Sequence, residues 1–337
     1  MTTTRKKLLL PNTMARPGWD LANSRKDVEA IAFSPTMPTP EFRALLRDVD
    51  GIALTSTPFR AADIEAAPRL RAVGRIGVGY DAVDVPALTG RGIPLMTCDT
   101  DNSPTVAECV MFMMLTLCKR GPGKDALVRQ GRWSTRYDEL PTELLGKTVL
   151  IIGFGRIGTR VAKRCLAMEM KVEVYDPYVP AQAVRAAGCE PVADLDAALP
   201  GADYVTLHCP RTPETVNLFD AARLARMKLQ ARLVNTARGG LVDEAALYAA
   251  LEAGKLAGAG IDVFSPEPPL TDNPLFTLSN VVVSPHMAGN TRESLDRKSL
   301  TVTRNLLCVL DGDTPKREYV VNPEFVGLGS DKLPGKL

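Results

Sequence analysis

The sequence predicts an α/β protein made of two units, one inserted into the other. Between Val149 and Pro285, short β-rich runs alternate with helical patterns, which is typical of parallel βαβ units. A shorter series of the same kind comes before Val149, and only a helical pattern and an extended tail follow Pro285. The chain of 337 residues suits two domains of ordinary size.

The first unit is predicted to be a small flavodoxin-like unit formed by both ends of the chain. Its predicted strands span residues 7–10, 51–55, 71–75 and 93–97, with helices at 40–49 and 84–91. A helix at 292–310 and an extended segment at 318–323 cannot form a core alone, so we expect them to pack on this unit. Residues 1–103 and 291–337 therefore form one predicted domain, and residues 104–290 form the inserted one. The connecting helices, 104–119 and 292–310, are expected to act as hinges beside a cleft.

The inserted unit is predicted to be a doubly wound parallel sheet. Its six predicted strands span residues 149–152, 171–175, 203–208, 232–235, 258–263 and 281–284. Successive strands are separated by helical patterns, as the βαβ connection requires.

A glycine fingerprint follows the first strand of the inserted unit. Gly153 permits a tight turn, Gly155 lets a pyrophosphate approach the backbone, and Gly158 lets the next helix, predicted at 159–168, pack closely on the strand. Asp176 ends the second strand, 18 residues after Gly158, where a carboxylate can accept hydrogen bonds from a ribose 2′-hydroxyl. The pattern predicts a dinucleotide site. The carboxylate of Asp176 would repel a 2′-phosphate, which favours NAD over NADP.

The predicted fold class is therefore α/β with two Rossmann-like domains: a doubly wound parallel dinucleotide-binding sheet inserted into a flavodoxin-like substrate domain. The net charge of +2 is nearly balanced and does not indicate a basic surface that would bind nucleic acid or an anionic membrane. The longest apolar run, 106–118, is interrupted by Glu108 and is too short to span a membrane. The seven cysteines form no C-x-x-C pair, so we expect no metal site and reduced thiols in a cytoplasmic protein.

Three ionisable residues follow successive strands of the inserted unit. Arg238 follows the fourth strand, Glu267 the fifth and His286 the sixth. Because ligands of open α/β sheets bind at the carboxyl ends of the strands, the three side chains are expected to converge. The other of the two histidines, His208, lies within an apolar strand and is interpreted as a buried, hydrogen-bonded structural residue.

Together with the glycine fingerprint, three motifs resemble the D-isomer-specific 2-hydroxyacid dehydrogenase family. They read Asn-Thr-Ala-Arg-Gly-Gly at 235–240, Asp-Val-Phe-x-x-Glu-Pro at 262–268 and Ser-Pro-His-x-Ala-Gly at 284–289. The resemblance extends from about residue 71 to residue 323. It implies a homodimeric, NAD-dependent enzyme in which Arg238, Glu267 and His286 are catalytic.

The residue types fit the reduction of a 2-oxo acid. His286 can give a proton to the developing alkoxide near neutral pH, and a paired Glu267 would stabilise the imidazolium and fix its tautomer. Arg238 offers a planar fork to the substrate carboxylate and a donor to the carbonyl oxygen. The hydride would come from the nicotinamide.

The resemblance also implies roles for residues outside the three catalytic positions. Val78 and Gly79, with Arg238, would bind the substrate carboxylate. Besides Gly153, Gly155, Gly158 and Asp176, the implied cofactor contacts are Arg156, Ile157, Thr105, Cys209, Pro210, Thr215, Thr236, Ala237, Asp262, His286 and Gly289.

The sequence favours a small, unphosphorylated substrate. The motifs are similar to those of the phosphoglycerate-dehydrogenase-like and hydroxypyruvate-reductase-like branches, but Thr55, Ser56 and Thr57 stand where phosphoglycerate enzymes carry a basic residue. We therefore expect glyoxylate, hydroxypyruvate or a similar small acid, with 3-phosphoglycerate as an alternative. Formate or phosphite is a further alternative, and a dinucleotide-sensing protein like the corepressors that resemble this family is the alternative from another class. No nucleic-acid or membrane partner is expected.

Overall fold

The computed structural model describes residues 5–98 and 100–323, which form two compact units. One unit takes in the described residues up to Asn102 and those from Asn290 onward, and the other is Ser103–Gly289. These divisions fall next to the domain boundaries predicted from the sequence. Part of the predicted first domain, residues 324–337, lies outside the described residues.

The first unit contains a parallel sheet with the strand order β2-β1-β3-β4-β5, which is the flavodoxin-like order. Its strands are β1 (Lys6–Pro11), β2 (Val28–Phe33), β3 (Gly51–Leu54), β4 (Ala72–Arg75) and β5 (Leu95–Met96). Its helices are α1 (Arg16–Asn23), α2 (Thr39–Leu46), α3 (Ala61–Glu65), α4 (Val85–Gly90) and, after the inserted unit, α12 (Arg292–Asp311).

Strand β2 corrects the sequence prediction, which has no strand there. It pairs with β1 over its whole length, from Val28 to Phe33, at the edge of the sheet. Only its two end residues are buried, so the run lacks the clear alternation that reveals a half-buried strand.

The C-terminal segment packs on the first unit. Helix α12 contacts α1, β3 and β4, and a Cβ on Gly74 would lie 2.8 Å from Val302 Cγ1, so the helix approaches the sheet too closely for a side chain there. The prediction of an extended chain from residue 318 was partly wrong, because Arg317–Tyr319 forms a 3-10 turn. Val320 then bridges Met96 in antiparallel fashion, and the Asn322 side chain accepts a hydrogen bond from Leu95 N and donates one to Ile93 O.

The second unit contains a parallel sheet with the order β12-β11-β10-β9-β6-β7-β8. Its strands are β6 (Thr148–Ile152), β7 (Lys171–Tyr175), β8 (Glu190–Pro191), β9 (Tyr204–Leu207), β10 (Arg232–Asn235), β11 (Gly258–Ile261) and β12 (Val281–Val283). Its helices are α5 (Ser103–Lys119), α6 (Gly121–Arg129), α7 (Gly158–Ala167), α8 (Ala181–Ala186), α9 (Leu195–Ala198), α10 (Ala221–Arg226) and α11 (Glu244–Glu252). From β8 across to β11, the sheet has the doubly wound order of dinucleotide-binding domains, and β12 extends it.

The predicted set of six strands lacks β8, the outermost strand beyond β7. Two residues, one of them Pro191, give no periodic signal, and proline is tolerated only at such an edge. The six predicted strands are all present with ends shifted by about one or two residues, as is usual for such boundaries.

Helices cover both faces of this sheet, which explains the nearly continuous apolar strands. Helices α5 and α7 supply the core on one face, while α10 and α11 supply it on the other. Among the described residues, no helix is long and apolar enough to cross a membrane.

Candidate active site

The three predicted catalytic residues follow three neighbouring strands of the second unit. Arg238 comes after β10, Glu267 after β11 and His286 after β12, and these strands lie side by side in the sheet. Because the strands are parallel, all three loops leave the same edge of the sheet.

The imidazole of His286 contacts the carboxylate of Glu267. Nδ1 lies 2.8 Å from Glu267 Oε1, and the two side chains are 48% and 43% exposed. A carboxylate accepts a hydrogen bond, so Nδ1 carries the proton and Nε2 is the atom that can exchange a proton with a substrate. The pair therefore has the geometry of a general acid oriented by a carboxylate.

Asp262 holds the turn that carries His286. The backbone of His286 has a left-handed φ of 54°, a conformation that costs about 1 kcal/mol or more for a residue with a side chain. His286 N donates to Asp262 O at 2.7 Å. The buried carboxylate accepts from Met287 N at 2.8 Å and from Ala288 N at 3.0 Å.

The sequence interpretation missed this positioning role, because it assigned Asp262 only to the surroundings of the nicotinamide. The signal that points to it is a carboxylate at the end of a fully buried strand, where it must find hydrogen-bond donors.

Replacing Asp262 with asparagine is expected to destabilise this turn. The amide keeps one acceptor but places an NH₂ group against a buried backbone N–H, which costs about 1–3 kcal/mol of unfolding free energy. We expect a lower Tm together with a lower kcat, measured by circular dichroism and by steady-state kinetics. An unchanged Tm and an unchanged kcat would contradict the assigned role.

The turn around Arg238 is built by Asn235, a residue that the sequence interpretation left without a role. The buried Asn235 side chain accepts from Ala237 N at 3.1 Å and donates to Arg238 O at 2.9 Å. The guanidinium donates from Nη1 to Ala237 O at 2.7 Å. A guanidinium has five N–H donors, so this bond is compatible with binding a carboxylate as well.

The glycine turn requires glycine at two positions. Gly153 has φ +92°, and a Cβ there would lie 2.8 Å from Cys209 N; a Cβ on Gly158 would lie 2.1 Å from Gly153 O. Around Gly155, in contrast, a Cβ would meet nothing within 4 Å. Helix α7 begins at Gly158, so the open space at Gly155 lies next to the N-terminus of this helix. A helix N-terminus presents backbone N–H groups that can bind a pyrophosphate. Arg156 and Ile157 lie in this turn and are partly buried.

Asp176 lies beside the glycine turn. Its carboxylate accepts from Phe154 N at 2.7 Å and from Tyr178 N at 2.9 Å. Each carboxylate oxygen has a second lone pair, so these bonds leave acceptor capacity for a ribose hydroxyl.

The loop after β9 is fixed by Thr215. Its hydroxyl donates to Pro210 O at 2.7 Å and accepts from Thr212 N at 2.7 Å. Burial raises the pKa of the neighbouring Cys209 thiol to about 11, so this thiol stays neutral and unreactive near pH 7.

His208 lies directly after β9 and is partly exposed, whereas the sequence interpretation placed it, buried, within the strand. Its Nε2 lies 2.9 Å from Thr206 Oγ1, and burial lowers its pKa to about 3. A ring that stays neutral at physiological pH cannot serve as the proton donor.

The remaining predicted cofactor contacts are distributed within the second unit. Thr105 lies in α5 and Thr236 just after β10, and both are 6% exposed. The Thr236 hydroxyl is buried and has no hydrogen-bond partner among the described residues. Ala237 precedes Arg238, and Gly289 ends the His286 turn. A buried unpaired hydroxyl and the open cradle at Gly155 fit a bound dinucleotide.

Val78 and Gly79 belong to the first unit, in the loop after β4. Gly77 N, at a φ of 145°, donates to Arg75 O at 2.9 Å. Within the described residues, the N–H groups of Val78 and Gly79 have no protein acceptor. Two adjacent N–H groups of this kind can bind a carboxylate.

The comparison with known families agrees with the fold and with these motifs. Residues 111–288 match the family described as D-isomer specific 2-hydroxyacid dehydrogenase, NAD binding domain. The chain belongs to the D-isomer specific 2-hydroxyacid dehydrogenase family, and its second unit is an NAD-binding domain.

Curated relatives are D-3-phosphoglycerate dehydrogenases. The chain is 41% identical to the protein of Archaeoglobus fulgidus over 81% of its own length and 51% of the relative. It is 36% identical to the protein of Synechocystis over 98% of its own length and 58% of the relative. The chain thus spans little more than half the length of these relatives.

Solved structures match almost the whole chain. The D-lactate dehydrogenase of Aquifex aeolicus, complexed with NAD and lactic acid, has a TM-score of 0.83 at 29% identity and covers 94% of this chain and 99% of its own. The TT0316 protein of Thermus thermophilus also has a TM-score of 0.83, with 33% identity over 94% of this chain and 99% of its own.

Proposed function

We propose that the protein is an NAD-dependent dehydrogenase that transfers a hydride between nicotinamide and a small D-2-hydroxy acid or its 2-oxo acid. The observation that carries the proposal is the 2.8 Å contact between His286 Nδ1 and Glu267 Oε1, made by loops that share a sheet edge with the loop of Arg238. This arrangement belongs to a chain of the 2-hydroxyacid dehydrogenase family, which supports the reaction class.

In the proposed mechanism each side chain has one task. Arg238 binds the substrate carboxylate and orients the carbonyl. The adjacent N–H groups of Val78 and Gly79, in the first unit, are proposed carboxylate-binding groups as well. His286 donates a proton from Nε2 to the carbonyl oxygen, and Glu267 holds the imidazolium that does so. Bound NAD supplies the hydride chemistry. In oxidation, His286 takes the hydroxyl proton instead.

We propose that the cofactor is held by residues of the glycine turn and by residues that follow other strands of the second unit. The backbone at Gly155, Arg156 and Ile157 binds the pyrophosphate, while Asp176 binds the adenosine ribose. Cys209, Pro210 and Thr215 lie at the adenosine, and Thr105 lies near the phosphates. Thr236, Ala237, Asp262 and Gly289 surround the nicotinamide.

Asp176 is expected to determine the preference for NAD. Replacing it with alanine removes the charge that repels a 2′-phosphate, so the ratio of kcat/KM for NADPH to that for NADH should rise by about 10-fold or more, the effect of about 1.4 kcal/mol. Asp176→Asn loses the same charge and keeps an oxygen that accepts from Phe154 N, but its NH₂ group then faces Tyr178 N, so the Tm of both variants is measured as the control for the turn. An unchanged ratio in both variants would contradict the role at the ribose.

The substrate we favour is glyoxylate, hydroxypyruvate or another small 2-oxo acid. Residues Thr55, Ser56 and Thr57 follow β3 without a cation, which favours an unphosphorylated acid. Arg75, at the end of β4, is the basic residue that a phosphorylated substrate would require. The names of the curated relatives favour the second candidate, 3-phosphoglycerate.

NADH oxidation should be measured with glyoxylate, hydroxypyruvate, pyruvate, oxaloacetate and 2-oxoglutarate, and NAD reduction with 3-phosphoglycerate. The highest kcat/KM with an unphosphorylated acid supports the first candidate, and the highest with 3-phosphoglycerate supports the second. NADH binding without turnover of any acid would instead indicate a dinucleotide-sensing protein.

We further propose that the protein forms a homodimer and resides in the cytoplasm. Large apolar side chains of the second unit are exposed, which is typical of a surface that a partner covers: Phe112, Trp133, Tyr137 and Leu140. Light scattering should give twice the chain mass of 36.4 kDa; a monomer would refute the dimer.

The proposed cytoplasmic location rests on the cysteines. All seven are free thiols, as in a reducing compartment. The net charge of +2 agrees with the absence of a nucleic-acid or membrane partner.

A further inference from the structure

Glu244 connects helix α11 to the loop that carries Glu267. It is the first residue of α11, and its carboxylate accepts from Ser265 N at 2.7 Å and from Asn273 Nδ2 at 3.0 Å. Ser265 and Asn273 are the two ends of a nine-residue segment with Glu267 inside it. One carboxylate therefore ties both ends of this segment to a rigid helix.

The segment is restrained by the prolines at 266, 268 and 269 and by a hydrogen bond from Asn273 N to Leu270 O at 3.2 Å. It contains no helix or strand, and Glu267 within it is 43% exposed on its side chain. Outside the segment, the rings of Phe264 and Phe276 meet edge to face with centroids 5.6 Å apart. Glu244 is the side chain that holds both ends of the segment that places Glu267 beside His286.

Glu244 is not needed to cap its own helix. Asp243, the residue before it, accepts from Ala245 N and Ala246 N, each at 3.0 Å. Asn273, at the other end of the bond, accepts from Leu275 N at 3.0 Å and so starts the 3-10 turn Pro274–Thr277. The bond between Glu244 and Asn273 therefore joins two capped elements, and its removal leaves both caps in place.

We propose that Glu244 is a positioning residue for the reaction, acting through Glu267 to keep His286 oriented. This inference rests on the proposed function, since it requires that the contact between Glu267 and His286 matters for proton transfer. Glu244 itself touches neither the imidazole nor a substrate.

A polarity swap tests the proposal. In Glu244→Gln the amide oxygen still accepts from Ser265 N, but the NH₂ group faces the NH₂ group of Asn273. In Asn273→Asp the cap on Leu275 N is kept, but two carboxylates face each other. In the double variant, the amide introduced at position 244 donates to the carboxylate introduced at position 273, which restores both bonds.

We expect each single variant to lower kcat for 2-oxo acid reduction by about 10-fold, because small displacements of a catalytic group are costly, and the double variant to regain most of the loss. The dissociation constant for NADH should not change. Glu252→Gln, on an exposed residue at the far end of α11, is the control and should behave as the wild type. If a single variant folds poorly, the test still works, because the kcat of the double variant is compared directly with that of the wild type.

A second measurement separates positioning from a general loss of structure. Glu244→Gln is combined with Glu267→Gln, which keeps the shape of the loop but removes the partner charge of His286. If Glu244 acts through Glu267, the second substitution adds little to the first. The pH profile of Glu244→Gln should also move toward that of Glu267→Gln, with reduction falling off at a lower pH because the imidazolium is less stabilised.

The outcomes distinguish the two proposals. Full activity in Glu267→Gln would overturn the proposed mechanism. A large loss in Glu267→Gln, together with no loss in Glu244→Gln, additive losses or no rescue in the double variant, would overturn the role of Glu244 alone.

Discussion

Replacing His286 with alanine is expected to lower kcat for 2-oxo acid reduction by about 10²–10⁴-fold, the usual contribution of a positioned general acid. The loss follows from the contact of Nδ1 with Glu267, which leaves Nε2 as the proton donor. NADH affinity should change little, because the cofactor is held mainly by the glycine turn. Stopped-flow hydride transfer and equilibrium fluorescence titration measure the two quantities separately.

The pH dependence gives this prediction a direction. Reduction needs protonated His286, so its rate should fall as the pH rises. Oxidation needs the neutral ring, so its rate should rise as the pH rises. The other histidine cannot produce this profile, since burial lowers the pKa of His208 to about 3 and keeps it neutral. Near-normal rates in both directions for His286→Ala would show that another group carries the proton.

Replacing Arg238 with lysine is expected to lower kcat/KM by about 10²–10³-fold, even though the charge is kept. A lysine ammonium is a single point charge and cannot bind a carboxylate through two parallel N–H groups while also donating to the carbonyl oxygen. Both KM and kcat should deteriorate, because the fork binds the ground state and stabilises the developing oxyanion.

The matched control is Arg226→Lys, on α10. The Arg226 guanidinium donates to Asp196 O and is exposed, so this variant should keep its activity. Added guanidinium ions should partly restore an Arg238→Ala variant. A kcat/KM of Arg238→Lys within about twofold of the wild type would contradict the role of the fork, because a twofold difference corresponds to only about 0.4 kcal/mol of transition-state stabilisation.

Much of the fold can be predicted because the sheets are parallel and buried. Apolar runs such as Thr148–Ile152 and Arg232–Asn235 are bounded by glycine-rich turns, and this combination locates the strands and their carboxyl ends. The edge strands Val28–Phe33 and Glu190–Pro191 cannot be predicted in this way. One is only partly buried and the other is two residues long, so tertiary pairing rather than local pattern forms them.

Only part of the candidate site can be predicted from the sequence. Residues whose chemistry is recognisable, such as Arg238 and His286, stand out in the sequence because of their positions after strands. Supporting residues do not, because their roles depend on contacts between distant segments. The carboxylate of Asp262 binds the backbone of Ala288, and that of Glu244 binds Asn273. Such pairs become visible only when the chain is folded.

The most direct test of the proposed reaction uses NADH labelled with deuterium at C4 of the nicotinamide, prepared separately on each face. Each labelled cofactor is incubated with the preferred 2-oxo acid, or with hydroxypyruvate where that acid is glyoxylate, because glycolate is achiral. The product is analysed by mass spectrometry and chiral chromatography. We predict that one of the two labels is transferred to C2 of the product and that this product is the D-2-hydroxy acid. Formation of the L isomer, or oxidation of NADH without deuterium at C2 from either label, would contradict direct hydride transfer in this site.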